Sequence, residues 1–220
     1  MAARGPETDL PLFREKRIND PTQALKALAV EAAACTRCPL YKNATRTVFG
    51  EGPANAAMML IGEQPGDQED LTGRPFVGPA GKVLDTALEA AGIERAEVYI
   101  TNAVKHFKNE PRGKRRLHKK PETREIDACR WWLDNELDII RAAVAVALGA
   151  TAARALMRKA LSINTNRGRL ITLPNGGEGL ITVHPSYLLR LEDERDKRRE
   201  FDLLVSDLRV ASKAARNGRD

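Results

Sequence analysis

Four short runs of unbroken apolar residues, alternating with amphipathic stretches of helical length, predict an α/β chain. The layout they imply is a three-layer α/β/α sandwich around a central four-stranded, mainly parallel sheet. The runs are Ala57–Ile61, Val98–Thr101, Val144–Leu148 and Leu180–Val183. Strands that alternate apolar and polar residues have one wet face; these do not, so both faces are covered. A chain of 220 residues, 42% hydrophobic and 30% charged, has enough apolar material for such a core beneath a heavily solvated surface.

In chain order, residues 1–21 read as a loose N-terminal tail broken by Pro6, Pro11 and Pro21, and residues 22–215 as a single domain. Thr22 is placed to cap a helix over Gln23–Ala34, which delivers Cys35 and Cys38 to the next loop. Apolar residues at helical spacing predict further helices over Gly81–Ala91, Glu122–Ile140, Ala150–Lys159 and Glu192–Ala215. Arg169–Leu173, followed by the turn residues Pro174-Asn-Gly-Gly177, adds a short strand. Between strand 98–101 and helix 122–140 lies a basic loop, residues 105–120, with Lys105, Lys108, Arg112, Lys114, Arg115, Arg116, Lys119 and Lys120 against one acid, Glu110.

That density of cations, and a formal charge of +6, point to a polyanion as partner. The first ten residues lack the apolar run of a signal peptide, and no stretch approaches the roughly 20 apolar residues of a membrane span. The expectation is a soluble cytoplasmic protein with no membrane partner. Three cysteines in a reducing compartment favour thiol or metal chemistry over disulfides.

Gly62-Glu63-Gln64-Pro65-Gly66, Asn102 and His184 all fall just past the carboxyl ends of predicted strands, where open α/β sheets bind ligands. Cys35-Thr-Arg-Cys38 has a spacing that offers two thiolates to a metal or cluster, or forms a redox pair. Cys129 and His106 complete a candidate set of four. Taken singly, Cys129 also reads as a small buried apolar residue and His106 as a surface histidine. The remaining histidine, His118, sits among the lysines and arginines.

Gly62-Glu-Gln-Pro-Gly-Asp-Gln-Glu-Asp70, Pro75-Phe-Val-Gly-Pro-Ala-Gly81, Thr101-Asn-Ala-Val-Lys105 and Val183-His-Pro-Ser186 together resemble the uracil-DNA glycosylase superfamily, nearest its iron–sulfur family 4 branch. That branch has cysteine where this chain has His106, and lacks the inserted Arg112–Lys120. Both departures resemble the UdgX group, marked by an Arg-Arg-Ile-His loop similar to Arg115-Arg-Leu-His118. The resemblance covers about residues 25–210 and implies the uracil-DNA glycosylase fold.

What the resemblance implies for the site is specific. Phe76 stacks on uracil, Asn102 pairs with its edge, and His184 donates to the oxygen that gains charge. Glu63 faces the sugar. Gln64, Asp67, Asp70, Lys105, Arg116 and Ser186 join the substrate site. Cys35, Cys38, His106 and Cys129 hold a [4Fe–4S] cluster, with structural zinc as the other metal. His118 captures the anomeric carbon, linking protein to DNA. The implied partner is uracil-containing DNA, single strands included, met by a monomer at the nucleoid. Two alternatives stay open: a conventional turning-over glycosylase of the family 4 kind, and a non-catalytic iron–sulfur DNA-binding protein.

Overall fold

A computed structural model describes residues 18–113 and 115–218. Residues 1–17 of the expected tail, and Lys114 of the basic loop, lie outside the described residues. The elements run α1 (Pro21–Ala32), β1 (Met58–Gly62), α2 (Asp67–Thr72), α3 (Pro79–Ala91), β2 (Tyr99–Asn102), β3 (Asn109–Arg112), β4 (Arg115–His118), α4 (Thr123–Ile140), β5 (Val144–Leu148), α5 (Ala150–Met157), α6 (Ile163–Asn166), β6 (Leu170–Thr172), β7 (Glu178–Thr182) and α7 (Glu194–Asn217). Short 3-10 turns cover Pro39–Lys42, Arg95–Glu97 and Pro185–Arg190. The cap of α1 is Asp20, whose carboxylate accepts from the Thr22 amide, with Pro21 at the first helical position, rather than Thr22 itself.

The central sheet has the order β2-β1-β5-β7-β6. The four predicted strands are its parallel members, and the short strand near 170 adds an antiparallel edge paired to β7. Successive residues of one strand feed opposite layers. Met59 and Ile61 pack with Leu28, Trp132 and Leu133 on one face; Met58 and Leu60 pack with Leu84, Leu88, Leu204 and Leu208 on the other. That two-sided burial is why the strand sequences show no alternation. Among the described residues no helix is long and apolar enough to cross a membrane.

The connection from β1 to β2 goes to one side of β1 and the later strands lie on the other, so the order in which strands are added reverses between the parallel neighbours β1 and β5. Loops leaving the carboxyl ends of these two strands splay apart there and open a crevice.

The basic loop is not a loop. β3 and β4 form an antiparallel hairpin, with Asn109 opposite His118 and Arg112 opposite Arg115, turning through Gly113 at φ +60°. Three of its eight strand residues are partly or fully buried, Asn109, Arg116 and Leu117. The alternation that would have marked two strands is absent because other elements, not a shared apolar face, hold the hairpin.

Candidate functional site

The crevice contains two adjoining cavities. One, of about 500 Å³, is lined by Phe76, Asn102, His184, Asp67 and Pro79. The other, of about 420 Å³, lies on the Glu63 side. Gln64, His118, His184, Ser186 and Arg190 form the wall they share.

Phe76 enters the first cavity by an unusual route. Its backbone lies at φ +53°, a left-handed conformation that costs a bulky residue on the order of 1–3 kcal/mol. Two features hold it there. Glu69, buried, accepts from the Gly66 amide (3.0 Å) and the Gly78 amide (2.8 Å), tying both ends of the segment together. Gly81 lets the backbone pass: a Cβ at that position would lie 1.9 Å from the Phe76 carbonyl oxygen. The ring then sits 5.8 Å from that of His184. Gly62, at the end of β1, makes the matching allowance, since its Cβ would lie 2.4 Å from Asn102 Oδ1 and 2.6 Å from the tip of the Phe76 ring.

Asn102 is 2% exposed, and its Oδ1 has no hydrogen-bond partner among the described residues. A buried amide oxygen left open costs stability unless a ligand completes it. Oδ1 and the Nδ2 group together offer one acceptor and one donor.

His184 has a defined tautomer. Nδ1 accepts from the Ser186 amide (3.2 Å) and meets the Ser186 hydroxyl at 2.8 Å, so the proton of the neutral ring lies on Nε2. Burial first, then the positive charge of Arg190, pushes its pKa down to about 4. At neutral pH His184 is an uncharged donor.

Gln64 also has its amide orientation fixed. Its Oε1 accepts from the Lys108 amide (3.0 Å), which turns the NH2 group towards the Lys119 carbonyl (3.0 Å) and His118 Nε2 (2.8 Å). His118 Nε2 thus carries a lone pair, and it lies 3.6 Å from the Glu63 carboxylate. Glu63 is itself held by the hydroxyl of Thr151, at the start of α5.

Three residues expected at the substrate are placed otherwise. Asp70 is wholly buried and accepts from the Thr45 amide and Arg116. Arg116 bridges Asp67 and Asp70 and lies over the Phe107 ring, so it fastens the hairpin to α2 instead of reaching out to phosphate. Lys105 is wholly buried against Glu136, away from both cavities. Lys108 pairs with Glu122 and Glu125, and Lys119 with Glu110. The basic segment is therefore much less free for DNA than its composition suggested; Arg112, Arg115 and Lys120 remain exposed. Sequence reasoning missed Thr151 and Glu136 entirely.

Cys35, Cys38 and Cys129 are free and buried in one core cluster. Burial raises the Cys38 thiol and pushes that of Cys129 up to about 12, and each also feels the neighbouring sulfurs. Cys35 Sγ accepts from the Trp132 indole and Cys129 Sγ from the Lys105 amide, both at 3.1 Å. His106 is the most telling. The Thr47 hydroxyl donates to the Ala32 carbonyl, so at 2.9 Å it accepts from His106 Nε2–H. That leaves Nδ1 a bare lone pair, buried and without a partner among the described residues. A metal-binding imidazole is held in this way, through a bond from its other nitrogen. Among the described residues no three His, Cys, Asp or Glu side chains converge as one metal ion requires. The donor set suits a group that binds its ligands through separate metal atoms.

The architecture is a doubly wound α/β scaffold with its candidate cleft at the sheet's switch point. The Uracil DNA glycosylase superfamily pattern matches residues 49–209, and this chain belongs to that superfamily. Similar proteins are type-4 uracil-DNA glycosylases. That of Thermotoga maritima is 44% identical over 71% of this chain and 78% of its own length. That of Pyrobaculum aerophilum is 37% identical (71% and 80%), and that of Sulfurisphaera tokodaii 35% identical (81% and 84%).

Two outcomes follow from this geometry. His184 should stay neutral in nitrogen-edited NMR spectra down to about pH 4, whereas an ordinary histidine protonates near 6.5. Because its pKa is lower folded than unfolded, its contribution to stability is complete above pH 6.5 and declines as acid takes the pH towards 4. Gly62→Ala should fold yet slow single-turnover uracil release by on the order of 100-fold, through ångström-scale displacement of Asn102 and Phe76.

Proposed function

We propose that this protein excises uracil from DNA and that His118 then captures the sugar, leaving the protein joined to its substrate. The observation that carries the reading is the lone pair of His118 Nε2, which accepts from the Gln64 amide and lies 3.6 Å from the Glu63 carboxylate, on the wall of the cavity lined by Asn102 and His184.

The base must leave the stack to enter that cavity, which single strands allow most readily. Phe76 stacks on the ring. Asn102 Oδ1 accepts from the base N3–H, and Nδ2 donates to the adjacent carbonyl. As the bond from sugar to base lengthens, its electron pair moves onto uracil, and the His184 Nε2–H stabilises the charge that gathers on the other carbonyl. The neutral histidine is a donor that keeps its proton, so uracil departs as an anion and is protonated by solvent. Positive charge left on the sugar faces the Glu63 carboxylate.

The lone pair of His118 Nε2 then forms a bond to the anomeric carbon. The alkylated ring carries the positive charge until Nδ1 releases its proton to water. A nitrogen fixed beside the cation competes with water through effective concentration. A cluster held by Cys35, Cys38, His106 and Cys129 would cross-link the segments beneath the base pocket and supplies no step of the reaction.

A second reading uses the same cavity. Glu63 is partly exposed, as activation of a water nucleophile requires, and a turning-over glycosylase would result. A denaturing gel after incubation with uracil-containing single-stranded DNA separates the two. Capture predicts a stoichiometric band that survives detergent, heat and high salt, and that disappears in His118→Ser while uracil release becomes catalytic. Repeated turnover by the unaltered protein would refute capture, and DNA binding without release of uracil would refute excision.

A further inference from the structure

The charge pair Lys105–Glu136 is buried to 0% exposure, and no step above uses it. Two charges so placed are costly unless their remaining hydrogen-bond capacity is met. Here it is met by the strand that carries the base-reading residue. Glu136 accepts from the Tyr99 hydroxyl (2.9 Å) and the Thr101 hydroxyl (3.0 Å), both on β2. Lys105 donates to Thr101 Oγ1 (2.6 Å) and to the main-chain carbonyl of Asn102 (2.8 Å). Asn102 is the last residue of β2, the edge strand of the sheet. The Ala103 amide after it still donates to the Gly62 carbonyl (2.9 Å) on the β1 side, and Lys105 takes up the Asn102 carbonyl. Its side chain has an open Oδ1, so nothing at that end of the side chain holds it before a base arrives.

We infer that Glu136 is a positioning residue for base recognition: through Lys105 it fixes the Asn102 main chain, and with it the direction in which the Asn102 amide faces the cavity. The inference rests on the uracil-excision reading and goes beyond it, because Glu136 lies on α4, outside both cavities. A buried ion pair is by itself weak evidence of a stabilising role. What the ion pair adds is a directional hold on one carbonyl.

The test is a double-mutant cycle read by single-turnover uracil release, with protein in excess over DNA and preparations matched for folded fraction and iron content. Glu136→Gln should slow release by roughly 10- to 100-fold, the range expected for a small displacement of a substrate-contacting group. In an Asn102→Ala background the same substitution should have almost no further effect, since groups that act through one another are non-additive. A merely structural Glu136 predicts the opposite, an unchanged single-turnover rate or an equal loss in both backgrounds, and either result overturns the inference. If Glu136→Gln does not fold, the paired change Lys105→Met with Glu136→Leu removes both charges while keeping the packing; an unaltered rate there overturns it equally. Failure of the unaltered protein to release uracil would instead strike the underlying reading, and that control separates the two failures.

Discussion

A two-stranded hairpin whose side chains are mostly wet does not hold together in water on its own. Everything distinctive about the crevice depends on how this chain overcomes that limit for β3 and β4. It does so with polar pins. One Gln64 amide joins Lys108, Lys119 and His118, while Arg116 joins the hairpin to Asp67, Asp70 and Thr45. Asp70 is fully buried, so its attraction to Arg116 is weakened little by solvent. His118, at the hairpin's end, remains half exposed.

The same logic runs beneath the sheet ends. Charges and polar groups are buried where each finds a specific partner: Lys105 with Glu136, Glu69 with two glycine amides, His106 with Thr47. Among the described residues five buried side-chain atoms lack a partner, and two of them, Asn102 Oδ1 and His106 Nδ1, belong to groups on this ring of buried polarity. One opens into the cavity proposed to take the base and the other belongs to the donor set suited to a cluster. At these two atoms unmet polarity coincides with a proposed ligand, whereas Asn109 Oδ1, Arg116 Nη2 and Arg154 Nε are open without one.

The strands were legible because burial on both faces removes polar residues from the sequence, leaving short apolar runs that no exposed strand would have. The crevice was legible for a topological reason: residues after β1, β2 and β7 must emerge at one edge of a parallel sheet. The hairpin was hidden, because Asn109–His118 has neither alternation nor a turn dipeptide of the usual kind, and its pairing is set by distant residues. Lys105 and Arg116 misled for a related reason. In a sequence a cation reads as solvent-facing or phosphate-seeking, and only the fold supplies the carboxylate that claims it. Glu136 sits between Asp134 and Asp138, which gives it the look of a wet acidic face. Its spacing of seven from Cys129 and four from Trp132 was the one available sign that it points inward.

That spacing has a wider meaning for α4. Cys129 and Glu136 lie two turns apart on one face, about 10 Å along the axis at 1.5 Å per residue. One packs in the core cluster that also holds Cys35 and Cys38, the other reaches the end of β2. The helix acts as a ruler between them: a single residue inserted between 129 and 136 would swing one mark about 100° away from the other. Length in this segment is therefore under a double constraint that composition is not, and lineages of such proteins can be expected to exchange its outer residues freely while keeping its count.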